Sequence, residues 1–219
     1  MNRTGSIAGI VYVVAAAAAA LLTGRPPGPT AGNEAVQLFF IDHRAMVVAQ
    51  GWLYALATGL VIWFALAVRR LLHLASSGRY LGDLFFVGTV AIATLTFVSM
   101  SIRIVAARAA DQLSAPAVRA VGADFSLVLL ALCGFIVALA AVGYAICVIT
   151  DGVLPRWTGW LAILAAVVNL LATGSVFVRG GPFSIEGGLS TLLPVGATAL
   201  WYLGTAFSLY TATTDEPAG

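Results

Sequence analysis

The sequence predicts an all-α fold: a single polytopic membrane domain built as a bundle of six transmembrane helices. Three observations carry that expectation. Of the 219 residues 61% are hydrophobic and 9% are charged, whereas a soluble domain carries roughly 25% charged residues. The mean hydropathy is +1.00. The apolar residues also gather into six runs, approximately 6–24, 45–68, 81–107, 119–149, 157–178 and 190–211, at or near the about 20 helical residues that cross ~30 Å of hydrocarbon.

Taken in order, the first run is the shortest and contains a weakly hydrophobic alanine stretch at 15–20. Arg3 ahead of a short apolar run has the outline of a signal peptide. "TGRPPGPT" (23–30) reads as a linker instead of a cleavage site, so the first run is expected to remain as a span. "GRPPGPTAGNE" (24–34) cannot continue a helix because proline lacks the amide donor and clashes with the preceding turn. "VRRLLHLASSGRY" (68–80) is a short charged connector, and "ARAADQLSAPA" (107–117) ends one helix and starts the next through Ser114 and Pro116. "TDGVLPRWTGW" (150–160) is a turn with Pro155 at a helix start, and the glycine-rich "VRGGPFSIEGG" (178–188) is expected to fold back over the bundle.

Six spans put both termini on one face. Arg3, Arg69, Arg70, Arg79 and Arg156 fall on that terminal face, against Arg25, Arg44, Arg108, Arg119 and Arg179 on the opposite, loop face. The dense cluster Arg69, Arg70 and Arg79 favours cytoplasmic termini by the positive-inside rule. Trp63, Tyr80, Trp157, Trp160 and Tyr210 lie at span ends on the terminal face, as an interfacial aromatic belt requires. All eleven basic residues are arginine, which with the many alanines suggests a GC-rich bacterial genome and a bacterial cytoplasmic membrane.

Several function classes are excluded. A net charge of +2 without a basic cluster interleaved with aromatics points away from nucleic acid. There is no phosphate-binding glycine loop, no H-E-x-x-H, no C-x-x-C and no G-x-S-x-G, so no cofactor, metal site or catalytic residue is assigned. Cys133 and Cys147 are fourteen residues apart in one run, about 21 Å along a helix and beyond disulfide reach. They read as small core residues.

What needs explaining is Arg103 in "VSMSIRIVAAR" (98–108). An arginine inside a span costs from ~2.5 kcal/mol upward unless it snorkels or pairs, and Arg103 lies about 7–10 Å from its helix end. Asp124 in "VGADFSL" is expected at similar depth on the next helix, so the two are expected to pair, with Arg108–Asp111 as a shallower pair. Thr89, Thr96, Ser99 and Arg103 share one helical face, and His43, Gln50, Tyr54 and Thr58 share another. Asn169 sits on a face of Ala162, Ala165, Ala166 and Thr173, where small residues let helices approach closely. Gln50, Arg103, Asp124 and Asn169 are thus expected at comparable depth, beneath Arg179 and Glu186. These groups are either interhelical glue, at about 0.6–2 kcal/mol each, or the lining of a polar cavity open to the loop face. The candidate ligand-binding set is Arg103, Asp124, Gln50, Asn169, Ser99, Tyr54 and His43.

The opening "RTGSIAGIVYV" (3–13), the long first loop before Asp42-His43-Arg44, and "VGYAICVITDGVLPRWTGWLAIL" (142–164) with its Leu154-Pro155-Arg156-x-x-Gly159 turn together resemble a widespread bacterial family of six-span integral membrane proteins of unknown function. The resemblance spans most of the chain, is weakest at 178–200, and implies topology without implying any catalytic residue.

Three functions follow as expectations. The favoured one is binding or carrying a small anionic or lipid-like molecule in a polar intramembrane pocket around Arg103. The second is a structural or regulatory subunit that assembles with another membrane protein, or with a second copy, through small-residue helix faces. The third is a membrane-embedded enzyme acting on a lipid or isoprenoid with Asp42, His43 or Glu186 as acid or base.

Overall fold

The computed structural model describes residues 2–24, 27–28, 31–76, 78–185 and 187–212. The helices are α1 (Asn2–Leu22), α2 (Asn33–Asp42), α3 (Arg44–Leu72), α4 (Gly78–Ala109), α5 (Ala115–Val118), α6 (Ser126–Asp151), α7 (Arg156–Thr173) and α8 (Gly188–Ala212). A π-helical stretch, Arg119–Phe125, joins α5 to α6, and a 3₁₀ turn, Gly174–Phe177, follows α7. Among the described residues six helices are long and apolar enough to cross a membrane: Arg3–Leu22, Arg44–Leu72, Gly78–Ala109, Ala115–Asp151, Arg156–Phe177 and Gly188–Thr211. The protein is therefore a multi-pass membrane bundle, as its hydropathy predicts.

The punctuation works as expected at α6 and α7. Gly152 adopts φ +66° and closes α6 through its N–H to Val148 O (3.2 Å), a left-handed cap that a Cβ would strain. Pro155 then stands immediately before α7, where its fixed φ suits a helix start and its missing N–H costs nothing. The α3–α4 connector is tighter than its charged sequence suggests, since α3 runs to Leu72 and α4 begins at Gly78.

The six spans form a closed ring in chain order, α1–α3–α4–α6–α7–α8, and α8 returns to α1. On the terminal face Ser6 Oγ donates to Ala206 O (2.6 Å), locking α1 to α8. Small residues set the close approaches: a Cβ on Gly88 of α4 would lie 2.8 Å from the Ala140 Cβ of α6.

The ring's terminal half is filled by aromatic side chains. Phe64, Phe85, Tyr144, Trp201 and Tyr202 are all at most 3% exposed. Their rings meet at 4.8–6.0 Å between centroids in tilted or edge-on pairs, the geometry that ring quadrupoles favour. Tyr144 Oη donates to Thr158 Oγ1 (2.8 Å), which donates to Pro155 O (2.9 Å). The Tyr144 hydroxyl is thereby satisfied in a medium without water.

A second, smaller core lies at the loop face and was not foreseen. The stretch 33–42, expected as loop, is the helix α2. Its Val36, Phe39 and Phe40 pack with Val47, Ala106, Ala107, Ala110 and Val118. Gln37 Nε2 donates to Ala110 O (2.7 Å) and Leu113 O (2.8 Å), supplying partners to carbonyls of the turn that follows α4.

Candidate functional site: a central cavity and an arginine beside it

Above the aromatic plug the ring encloses a cavity of about 310 Å³, at the lower end of the ~300–1,000 Å³ of small-molecule pockets. All six spans contribute. Tyr12, Val61, Thr89, Val137 and Tyr202 line its mid-membrane end, and Ser175, Ile185 and Ser190 line its loop-face end. The walls are mostly apolar, with alanine the commonest residue, and Tyr54, Thr58, Thr96, Thr198 and Asn169 are among the polar groups in them. Of the 178–188 stretch, Ile185 lines this end. Leu189 N–H reaches Pro182 O (3.1 Å), and Ser190 Oγ lies 2.6 Å from the carbonyls of both Ser184 and Gly187.

Asn169 is the most polar buried group in these walls. It is placed by a contact between α6 and α7 that only glycine permits, because a Cβ at Gly134 would lie 2.5 Å from the Asn169 carbonyl oxygen. Its Nδ2 donates to Ala165 O (2.8 Å) and Thr198 Oγ1 (2.9 Å), and lies 3.4 Å from Pro194 O. Main-chain carbonyls only accept, so the chemistry of the neighbours fixes which side of the amide is nitrogen. Among the described residues Oδ1 accepts no hydrogen bond. Pro194 lies inside α8, where it has no N–H for the carbonyl four residues earlier.

The cavity has one exposed rim. Of the lining residues, only Ala17 and Ala20 on α1 and Thr191 and Val195 on α8 are exposed. Among the described residues, the cavity thus meets the outer surface of the ring where α1 and α8 adjoin.

Of the seven candidate residues, Tyr54 and Asn169 line the cavity; the other five do not. Gln50 Nε2 donates to Ala19 O (3.0 Å) and Thr23 Oγ1 (3.3 Å), tying α3 to the end of α1. Ser99 Oγ donates to Ser126 O (3.2 Å), tying α4 to α6. His43 sits in the joint between α2 and α3, its Nδ1 3.2 Å from Phe39 O and its ring stacked on Phe39. Asp42 is exposed, and Glu186 lies outside the described residues.

The expected Arg103–Asp124 pair does not form. Asp124 pairs with Arg119 Nε at 3.8 Å. Residues five apart stand one above the other in a π-helix, whose hydrogen bonds run i to i+5, whereas an α-helix would splay them. Asp111 likewise pairs with Arg44 (3.1 Å) instead of Arg108. Arg103 meets the face of the Phe40 ring, with Cζ 5.7 Å from its centroid. Its Nε is buried without a hydrogen-bond partner.

One polar cluster escaped the sequence reading. On the terminal face Asp83 accepts from Arg69 Nε (2.6 Å) and lies 3.0 Å from His73 Nε2, while the Arg69 guanidinium rests on Phe86. The signal was available: Arg69 and His73 are four residues apart, hence on one helix face, and Asp83 falls in the next helix's first turns. Cys133, read as core, is buried as expected and also lines the cavity. Comparison of the chain with known protein families, with characterised proteins and with solved structures gives no match in any of the three.

Proposed function

We propose that the protein binds an uncharged, lipid-like molecule bearing a hydroxyl group, with its apolar body in the cavity and its hydroxyl donating to Asn169 Oδ1. The observation that carries this reading is a buried asparagine whose amide oxygen has no donor among the described residues, inside mostly apolar walls. An acceptor left unmade in an apolar pocket costs up to about 1–3 kcal/mol, which a hydroxyl ligand recovers. The exposed rim between α1 and α8 supports a ligand that arrives through lipid, since the outer surface of neighbouring spans faces acyl chains. The aromatic plug supports binding or lateral exchange over passage to the opposite face. Arg103 does not line the cavity, which favours a neutral ligand over an anionic one.

The same proposal places the chain in a bacterial cytoplasmic membrane with its ends cytoplasmic, on the strength of Arg69, Arg70 and Arg79. It also keeps the resemblance to the six-span bacterial family, on the strength of the 142–164 turn.

Delipidated protein in mild detergent, titrated with dodecan-1-ol, dodecane and dodecanoate and followed by thermal unfolding and native mass spectrometry, tests the reading. Dodecan-1-ol is expected to stabilise the wild type most. Asn169→Leu is expected to weaken dodecan-1-ol by about tenfold and to leave dodecane unchanged. Equal dodecan-1-ol binding by both proteins defeats the proposal.

A further inference from the structure

We infer that the guanidinium of Arg103 binds a phosphate-type oxyanion supplied from outside the chain, seated beneath α2 at the loop face. The inference stands apart from the cavity, which Arg103 does not line.

The first argument is the missing partner. Among the described residues Arg103 makes no hydrogen bond and no ion pair, and its Nε is buried without an acceptor. Arginine within a span is found paired or facing a polar space, because hydrocarbon cannot solvate it. The carboxylates nearest in sequence are engaged elsewhere, Asp111 with Arg44 and Asp124 with Arg119. Glu34 and Asp42 are exposed at the two ends of α2.

The second argument is the geometry of what does touch it. Phe40, 2% exposed, places its ring over the guanidinium carbon. A phenyl ring offers the guanidinium a π face and no hydrogen-bond acceptor in the plane of its N–H groups, so it leaves donors to be satisfied. That in-plane fork matches two oxygens of a phosphate group. Arg103 as a whole is only half-buried, so the site keeps an entrance.

The third is position. Arg103 precedes the last residue of α4 by six positions, about 9 Å along the helix. A long side chain at that depth reaches the headgroup layer by snorkelling. Arg108 and Arg179 occur on the same face, and basic residues near the headgroups attract anionic lipids. The shared chemistry is the oxyanion; its source is a lipid headgroup or free phosphate.

The test uses full-length protein in lipid-free detergent, with native mass spectra recorded against dioleoylphosphatidylglycerol, dioleoylglycerol and inorganic phosphate. Phosphatidylglycerol retention is expected to fall about tenfold in Arg103→Gln, with dioleoylglycerol unchanged; this supports the lipid as source. Retention of inorganic phosphate alone, lost in Arg103→Gln, supports free oxyanion as source. Asn169→Leu is expected to retain phosphatidylglycerol like the wild type, which separates this site from the cavity. Equal retention of phosphatidylglycerol and of phosphate by wild type and Arg103→Gln overturns the inference. Lipid-free Arg103→Gln is expected to unfold at or above the wild-type temperature. A variant that fails to fold there also overturns it, because the charge would then be held by the chain itself.

Discussion

At the scale of single residues, polar groups in this bundle sort by whether the chain itself satisfies them. Tyr144, Gln50 and Ser99 are satisfied by neighbouring helices, and such bonds average about 0.6 kcal/mol in membranes. Asn169 Oδ1 and Arg103 are not satisfied by the described residues, which is why they carry the functional argument. Trp201 is a third case: its ring is 1% exposed and its Nε1 has no partner. Trp201→Phe removes that orphan donor while keeping most of the ring. It is expected to change stability by less than about 1.5 kcal/mol, whereas Trp201→Ala costs about 3–5 kcal/mol; thermal unfolding in detergent measures both. Asp83, Arg69 and His73 are 47%, 34% and 31% exposed in their side chains. Partial exposure screens the cluster, so Asp83→Asn is expected to cost no more than about 1 kcal/mol. A larger loss in the same assay would mean that the cluster locks α3 to α4.

At the scale of elements, two glycine contacts and one short helix decide the site. Gly134 lets α6 meet the backbone of α7 at Asn169. Gly134→Val is expected to push these helices apart at a cost of about 1–3 kcal/mol and to abolish preferential dodecan-1-ol binding, read by the same titration. The α2 helix is ten residues long, too short to persist alone, so its existence depends on Phe39 and Phe40 docking onto α4 and α5. Phe40→Ala is expected to raise hydrogen exchange across residues 33–42 while the six spans keep their protection. If α2 stays protected, Phe40 is not its anchor. Gly122 accepts the edge of Phe40 in the π-helical stretch, so the same contact that roofs Arg103 accompanies the turn that diverts Asp124 to Arg119.

At the scale of the whole molecule, a closed ring divides its interior into a filled half and an open half. Cys147 lies in the filled half and is fully buried, whereas Cys133 lines the cavity. In proteoliposomes, membrane-partitioning N-cyclohexylmaleimide is expected to modify Cys133 and spare Cys147. A charged methanethiosulfonate in the water is expected to modify neither. Phenylalanines at Ala17 and Val195, which narrow the rim between α1 and α8, are expected to slow the Cys133 reaction about tenfold at constant reagent partitioning. Peptide mass spectrometry reads all three results. Labelling of Cys133 by the charged reagent instead would place the entrance in water and remove the case for a lipid-borne ligand.

The sequence by itself determined the number of spans, their order and their punctuation, because hydrocarbon thickness and the backbone's need for internal hydrogen bonds act on composition, length and proline alone. It also marked Asn169 and Tyr54 as facing inward, since small residues and helical periodicity are legible along one chain. Which groups meet across helices was decided only in the folded bundle. The α2 helix lacks a hydrophobic run of membrane length, and the π-turn at Arg119–Phe125 has no signature in periodicity. Both change which side chains meet, and an ion pair is made only within about 4 Å. Arg103 was therefore readable as a charge in need of a partner, and its partnering with Phe40 in place of Asp124 was a matter of tertiary packing.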